Sequence, residues 1–293
     1  MAKFSSFEKQ GAKQAASIMK ALQGSSIQSV GTVRNYEQAL SKFGTYLASQ
    51  NLHIKDIGEA EAISYLEQRA EEVGQKTLDL DRQAIQAALM HTGAIEERLA
   101  VIKSEHQQVL EARAYTSQQV EMIAERQTEK HALATEIAHA AGLRAHELIT
   151  LAPATERPAD ERPALESKFE GREGVLYTVE GKGGLCREVL IPKDLADRLE
   201  ARRFDEPKQV TDRGVHYEQR YDIGSGKQFT DSFSKASDRA LDWSTGAHGL
   251  RHSYAQERMD ELQSAGYDRE TALETVSQEM GHFRPDITEV YLR

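Results

Sequence analysis

The stretch that decides the fold lies near the end of the chain: His248-Gly249-Leu250-Arg251-His252, then Gly281-His282, then Tyr291. On a helix, His248 and Arg251 are three residues apart and project from one face. Tyr291 follows His282 by nine residues, and a Pro-Asp pair between them ends one helix and begins another. We expect this turn to aim the phenol at the two basic side chains, as a nucleophile delivered to a prepared pocket.

Two further motifs precede this stretch. The first is Ala141-Gly142-Leu143-Arg144-Ala145-His146-Glu147-Leu148, and the second is Glu180-Gly181-Lys182-Gly183-Gly184. Each motif is weak alone, but the order Arg, Lys, His-x-x-Arg, Gly-His, Tyr is specific as a set. In that order the sequence resembles the tyrosine recombinase (phage integrase) family, over most of the chain.

The resemblance implies a mainly α fold with a small β-hairpin or sheet. It divides the chain into a helical core-binding (SAM-like) N-terminal domain and a tyrosine-recombinase catalytic domain. We predict a polar lead at 1–27, the core-binding domain at 28–108, a linker at 109–115 and the catalytic domain at 116–293. The lead is expected to be a partly ordered tail.

Hydrophobic spacing supports this division. In the N-terminal part, helices are predicted from Thr32, from Glu59 and over 78–90, with no strand signal. Thr116 to Gln119 resembles a capping box that opens the catalytic domain. The only strand signals, 174–179 and 186–191, flank a Gly-rich turn with Lys182 at its tip. Residues 204–228 are polar and aperiodic, and we predict a long loop there.

By the resemblance, the motif side chains converge on one DNA phosphorus. Arg144 and Arg251 are suited to bind its two non-bridging oxygens. Tyr291 would attack and leave a 3′-phosphotyrosine, with His248 as the base. Lys182 would act as the general acid that protonates the leaving 5′-oxygen.

The remaining two site residues support the chemistry. His282 is expected to donate a hydrogen bond to the phosphate. Glu147, which follows Arg144 by three residues, is expected to orient its neighbours without touching DNA. His252 lies on another face of its helix from Arg251 and is predicted to pack or hydrogen-bond internally. In the core-binding domain, the residues that could reach DNA are Arg34, Lys76, Thr77 and Arg82.

The net charge of −10 is unusual for a DNA-binding protein, since DNA affinity rests on Lys and Arg. Residues 1–110 hold 12 basic and 13 acidic residues, leaving 25 and 34 for 111–293. Part of this excess lies in a Pro-containing acidic insertion, 156–173, which is predicted to be a solvated loop of unknown use. Net charge does not fix its distribution, so basic residues can still line one face.

Composition excludes several other classes. The chain has 293 residues, enough for one large or two ordinary domains. A single cysteine, Cys186, excludes an internal disulfide and favours a reducing compartment. No apolar run reaches membrane length and no signal core is present, so we expect a cytoplasmic protein. No phosphate-loop or metal-ligand spacing occurs, so no cofactor or metal is expected.

The resemblance predicts a site-specific DNA recombinase that needs neither metal nor ATP. Its partners would be double-stranded DNA, three further copies in a homotetramer, and accessory DNA-bending proteins. Two alternatives stay open: a catalytically silent DNA-binding regulator on the same fold, and a type IB topoisomerase-like enzyme. Many relatives carry a further helix after the tyrosine, and this sequence does not show how protomers couple without one. The target sequence, and the choice between integration, excision, inversion and dimer resolution, cannot be read from one chain.

Overall fold

The structure is a computed structural model that describes residues 6–24, 27, 29–106, 111–181 and 183–293. The chain divides into two compact units, Met1–Val109 and Leu110–Arg293. Within the described residues, no helix has the length and apolar character needed to cross a membrane.

The first unit is helical, as predicted. Its helices are α1 (Phe7–Leu22), α2 (Val30–Ser49), α3 (Glu59–Ala70) and α4 (Gln75–Thr92), with a 3₁₀ turn at Ile54–Asp56. Their apolar faces meet in one core, which buries Leu40, Phe43, Leu66, Ile85 and Leu89.

The expectation of a partly ordered tail is wrong for Phe7–Leu22, which forms α1 and buries Ala15, Ile18 and Leu22. The helix lies very close to α2, because a Cβ placed on Gly44 would meet the Gly11 Cα at 2.9 Å. Close packing through glycine buries one face of α1, which carries Ala15, Ile18, Met19 and Leu22. The polar composition of the rest of the segment hid that face.

The second unit joins helices to two small antiparallel sheets. Its elements in order are α5 (Ser117–Ala124), α6 (Glu129–Ala140), β1 (Ala152–Pro153), β2 (Val175–Glu180), β3 (Cys186–Ile191), α7 (Lys193–Glu200), β4 (Arg203–Asp212), β5 (Val215–Tyr221), α8 (Gly226–Leu241), α9 (Gly249–Ser264), α10 (Arg269–Glu279) and α11 (Pro285–Glu289). One sheet has the order β1-β2-β3, and β4 pairs with β5. The predicted mainly α fold with a small sheet is confirmed.

The start of the second unit follows the predicted capping box. Thr116 N donates to Gln119 Oε1 at 2.9 Å, and Gln119 N donates to Thr116 Oγ1 at 3.3 Å. The predicted linker, 109–115, falls partly on residues outside the described ranges. Its last residue, Tyr115, is buried in the core of this unit and stacks on Trp243 at 5.1 Å between ring centroids.

The prediction of a long loop at 204–228 is wrong, because most of it forms the β4–β5 hairpin. Arg213 and Gly214 connect the strands with φ of 50° and 81°, the left-handed conformations of a tight hairpin turn. β4 is largely exposed, whereas β5 buries Gln219 and Tyr221 near its end. Since neither face of β4 is buried against a core, the sequence lacks the alternation that signals a strand.

The acidic insertion is a loop whose acidic residues are all exposed, as predicted, but it is also anchored to the rest of the unit. Its backbone is held by side chains of α10: Leu165 N donates to Gln278 Oε1 at 2.8 Å, and Phe169 N donates to Glu279 Oε1 at 2.7 Å. The Ser167 hydroxyl is 2.6 Å from that of Thr275. The segment therefore braces the helix that precedes the Gly-His pair, a long-range contact that local composition could not show.

Candidate active site

The site is built around the carboxylate of Glu147, which is fully buried in the turn after α6. It accepts hydrogen bonds from Arg144 NH1 at 2.6 Å and from Arg187 NH2 at 2.9 Å, and Arg251 NH1 lies 3.8 Å away. Burial alone raises the pKa of this carboxyl, but Arg187, Arg251 and Arg144 outweigh it and lower the pKa to about 2. One negative charge thus faces three positive charges.

Arg251 projects from the first turn of α9 and is fully buried. It donates to the carbonyl oxygens of Gly142 and, at 3.1 Å, Met280. Within the described part of the chain, its Nε has no hydrogen-bond partner. Burial and the charge of Arg144 lower the pKa of the guanidinium to about 10. The side chain is still charged at neutral pH, in a place where a further anion would be favourable.

Gly142 makes this arrangement possible. Its φ of 60° is left-handed, and a Cβ there would meet the Tyr254 ring at 2.7 Å. Glycine therefore lets the turn before Arg144 pass close to α9. Gly281 allows an equally close approach on the other side of the site, because a Cβ there would meet Arg187 Cδ at 2.5 Å.

His282 accepts a hydrogen bond in this structure. Arg251 NH2 lies 3.0 Å from its Nε2, and an arginine can only donate, so Nε2 carries no proton. The other ring nitrogen, Nδ1, is 2.9 Å from Thr288 Oγ1. Burial and Arg251 lower the pKa of His282 to about 3, so the ring is neutral at neutral pH. The expected donation to a phosphate therefore needs an extra proton.

Tyr291 lies where the sequence analysis placed it, beside His248. Its hydroxyl is 3.1 Å from His248 Nε2, and only 8% of the residue is exposed. Its ring stacks on His282 at 5.1 Å and lies 5.5 Å from the Arg251 guanidinium carbon. Burial and Arg251 lower the pKa of His248 to about 4, so this imidazole is neutral and can accept the phenolic proton.

The predicted lysine cannot be placed, because Lys182 lies outside the described residues. The residue before it, Gly181, donates to Leu185 O at 2.7 Å and closes the end of the β2–β3 hairpin. A Cβ on Gly181 would lie 3.6 Å from Glu147 Oε1. That end of the hairpin therefore borders the arginine cluster.

The candidate DNA-binding residues lie in the first unit. Arg34, Lys76 and Thr77 are exposed on α2 and α4. Arg82 is half-buried, and its Nη1 donates to Leu99 O at 3.2 Å. Its side chain therefore holds the segment after α4 in place.

The sequence analysis missed Arg187, Glu279 and the position of His252. Arg187 is a buried arginine in β3. A charged residue inside a predicted strand is the sequence signal that could have identified it. Its NH1 donates to Glu279 O at 2.6 Å. His252 packs internally as predicted, but the group it packs on is Tyr291, at 4.7 Å between ring centroids.

Comparisons with known proteins identify the fold. Residues 19–91 match the model of the phage integrase N-terminal SAM-like domain. Among solved structures, XerH site-specific recombinase bound to a palindromic difH substrate is 14% identical with a TM-score of 0.58, covering 100% of this chain and 94% of that one. A lambda integrase dimer bound to a COC′ core site is 16% identical with a TM-score of 0.60, covering 96% and 94%. No curated protein matches the chain.

A third structure is the integrase of transposon Tn1549 with a circular intermediate DNA, 14% identical with a TM-score of 0.54 and covering 97% and 95%. The chain therefore has the tyrosine recombinase fold with an integrase SAM-like N-terminal domain. The resemblance first drawn from six motif residues is confirmed at that level.

Proposed function

We propose that this protein is a site-specific DNA recombinase that cuts and rejoins DNA through a 3′-phosphotyrosine intermediate. The observation that carries the proposal is the Tyr291 hydroxyl, 3.1 Å from a neutral imidazole of His248 and beside the buried guanidinium of Arg251. A nucleophile, a base and a site for an anion thus meet at one point.

In the reaction, Arg144 and Arg251 bind the non-bridging oxygens of one phosphodiester. Tyr291 attacks the phosphorus and its proton passes to His248 Nε2. The bond from phosphorus to the 5′-oxygen breaks, and Lys182 gives the leaving oxygen its proton. One phosphate ester bond forms as another breaks, so the reverse reaction rejoins DNA without ATP.

The arginine cluster supplies the charge stabilisation. Three guanidinium groups against one carboxylate leave a local surplus of two positive charges, which supports phosphate binding at this site in a chain whose net charge is −10. Arginine contacts of this kind are worth on the order of 10³–10⁵ in rate in phosphoryl transfer. We therefore propose that the chemistry needs no metal ion, and that it persists in excess EDTA.

Glu147 and His282 complete the site. We infer that Glu147 orients the three arginines through the hydrogen bonds described above and does not touch DNA. A bound phosphodiester would add negative charge beside His282 and raise the pKa of its imidazole. His282 would then hold a proton on Nε2 and donate a hydrogen bond from it to the phosphate.

The test is covalent trapping on a nicked suicide substrate, from which the cleaved strand dissociates. Wild-type protein should form a protein–DNA adduct and Tyr291→Phe should form none. Tyr267→Phe is the matched control, because its hydroxyl bonds the exposed Glu170. An adduct with Tyr291→Phe would refute the assignment. Absence of an adduct from wild-type protein that still binds DNA would favour the silent regulator.

A second experiment tests Lys182. A 5′-bridging phosphorothiolate has a leaving group that needs no proton, so it should restore cleavage by Lys182→Ala. Without such rescue, Lys182 is not the general acid.

The family resemblance extends the proposal to the assembly. We propose that both domains contact double-stranded DNA in the cytoplasm, and that four protomers exchange strands, aided by accessory DNA-bending proteins. Residues Arg34, Lys76 and Thr77 are proposed contacts to phosphate, whereas Arg82 has the structural role described above. Sedimentation of the protein with its DNA site should give four chains per complex.

A further inference from the structure

One face of α9 carries three side chains that contact the chain around Tyr291. His248, His252 and Gln256 are four residues apart and therefore align along the helix. His248 contacts the Tyr291 hydroxyl, His252 contacts its ring, and Gln256 Nε2 donates to the Tyr291 carbonyl oxygen at 3.0 Å. Gln256 also donates to Arg293 O at 3.1 Å. The nucleophile is thus held at its hydroxyl, its ring and its backbone.

His252 has no place in the reaction proposed above. It is almost fully buried, and its Nδ1 has no hydrogen-bond partner among the described residues. Burial and Arg113 lower its pKa to about 4, so its ring is neutral at neutral pH. A neutral ring can pack on the phenol without adding a charge beside Arg251. A buried, neutral histidine therefore packs on the ring of the attacking residue without adding a charge there.

The segment that carries Tyr291 has little structure of its own. The helix before it, α11, has five residues, and an isolated helix of that length is not stable in water. Its other ties are the bond from His282 to Thr288 and the exposed ion pair of Arg269 with Glu289. Tyr291 itself is contacted by the stacked ring of His282 and by side chains on the facing side of α9.

We propose that His252 and Gln256 form a cradle that positions Tyr291 for attack. This inference rests on the proposed function, and both residues are positioning residues that touch neither the DNA nor the reacting atoms. Misplacement of a reacting group by about 1 Å can cost 10²-fold in rate. Loss of the cradle should therefore slow cleavage with little effect on DNA binding.

The first test compares cleavage rates on the suicide substrate at saturating protein. His252→Ala and Gln256→Ala should form the adduct roughly 10²-fold and 10-fold more slowly than wild type, with DNA affinity within about twofold. His252→Phe keeps a ring against the phenol and should recover part of the rate lost in His252→Ala. The matched control is Gln263→Ala, an exposed residue of the same helix. Wild-type rates in both cradle variants would overturn the proposal.

The second test does not depend on catalysis. Chymotrypsin cleaves after tyrosine, and in wild type the Tyr291–Leu292 bond is protected while the cradle holds it. His252→Ala and Gln256→Ala should release Leu292-Arg293 several-fold faster, as followed by mass spectrometry, whereas Gln263→Ala should behave as wild type. Unchanged proteolysis would overturn the cradle, and faster proteolysis with a normal adduct rate would overturn its positioning role. If wild type forms no adduct at all, the proposed function fails while proteolysis still tests the cradle.

Discussion

Two buried arginines of α9 lie seven residues apart in opposite surroundings. Arg258 has its charge balanced, because its Nε is 3.1 Å and 3.2 Å from the two carboxylate oxygens of Glu279 and its NH1 is 3.0 Å from Glu261. Arg251 shares the single carboxylate of Glu147 with two other arginines. On the same helix, the positive charge of Arg258 is therefore balanced by carboxylates, whereas that of Arg251 is part of a local surplus of positive charge.

The difference separates a structural site from a binding site. A buried charge is costly unless it is paired, and removing one partner from a balanced pair leaves the other uncompensated. In a cluster with surplus positive charge, removing one arginine leaves Glu147 still neutralised. A surplus of this kind favours binding of an anion, and under the proposed function that anion is the DNA phosphate.

The largest expected effect is on the cleavage rate, when one arginine of the positively charged cluster is removed. Arg251→Ala should slow adduct formation by on the order of 10³–10⁵, because a guanidinium that stabilises phosphoryl transfer is lost. Single-turnover kinetics on the suicide substrate measures it, with Arg198→Ala, which removes a surface ion pair with Glu136, as the control. A loss of less than tenfold would mean that Arg251 does not bind the reacting phosphate.

The next effect concerns folding. Arg258→Ala should lower the free energy of unfolding by about 3–5 kcal/mol, since it leaves the buried Glu279 charge without its partner. Urea denaturation measures this value. Arg251→Ala should lose clearly less, because Arg144 and Arg187 still neutralise Glu147. Equal losses in the two variants would show that charge balance does not distinguish the sites.

The third prediction concerns the stability of the folded protein at low pH. The pKa of Glu147 is about 2 in the folded protein, below its ordinary value of 4.5, so the stability it contributes is present above pH 4.5 and is lost as the pH falls towards 2. At 1.36 kcal/mol per pKa unit this amounts to roughly 3 kcal/mol.

Two buried histidines also make the folded protein less stable as the pH falls. His248 and His282 have folded pKa values of about 4 and 3, below 6.5, so protons favour the unfolded chain from pH 6.5 downwards. Urea midpoints over a pH series should fall throughout this range. In Glu147→Gln the decline below pH 4.5 should be smaller. A flat profile from pH 6.5 to 4.5 would contradict the neutral histidines.

The smallest predicted effect is anion binding by the free protein. Inorganic phosphate at ten times its dissociation constant should stabilise wild-type protein by about 1.4 kcal/mol. Thermal melting with increasing phosphate measures this, and Arg251→Ala should respond less than the control Arg198→Ala. An equal response in both variants would place the bound anion away from the arginine cluster.

The sequence by itself determined the parts of this protein that depend on neighbours along the chain. Helical spacing located α2, α3 and α4, and Thr116 with Gln119 marked the start of α5, because caps and apolar faces repeat within one or two turns. The spacing of the last motif also predicted the turn between His282 and Tyr291, and that turn spans few residues, so local geometry constrains it. The approach of Tyr291 to His248 joins residues 43 apart and belongs to the tertiary structure.

Only the tertiary structure decided the contacts between distant segments. Arg187 reaches Glu147 across 40 residues, and Phe169 reaches Glu279 across 110. β4 carries no burial pattern, and α1 packs on α2 through one glycine in each helix, whose use depends on the facing helix. The surplus of positive charge was hidden for the same reason, since net charge counts residues and folding decides which of them share a carboxylate.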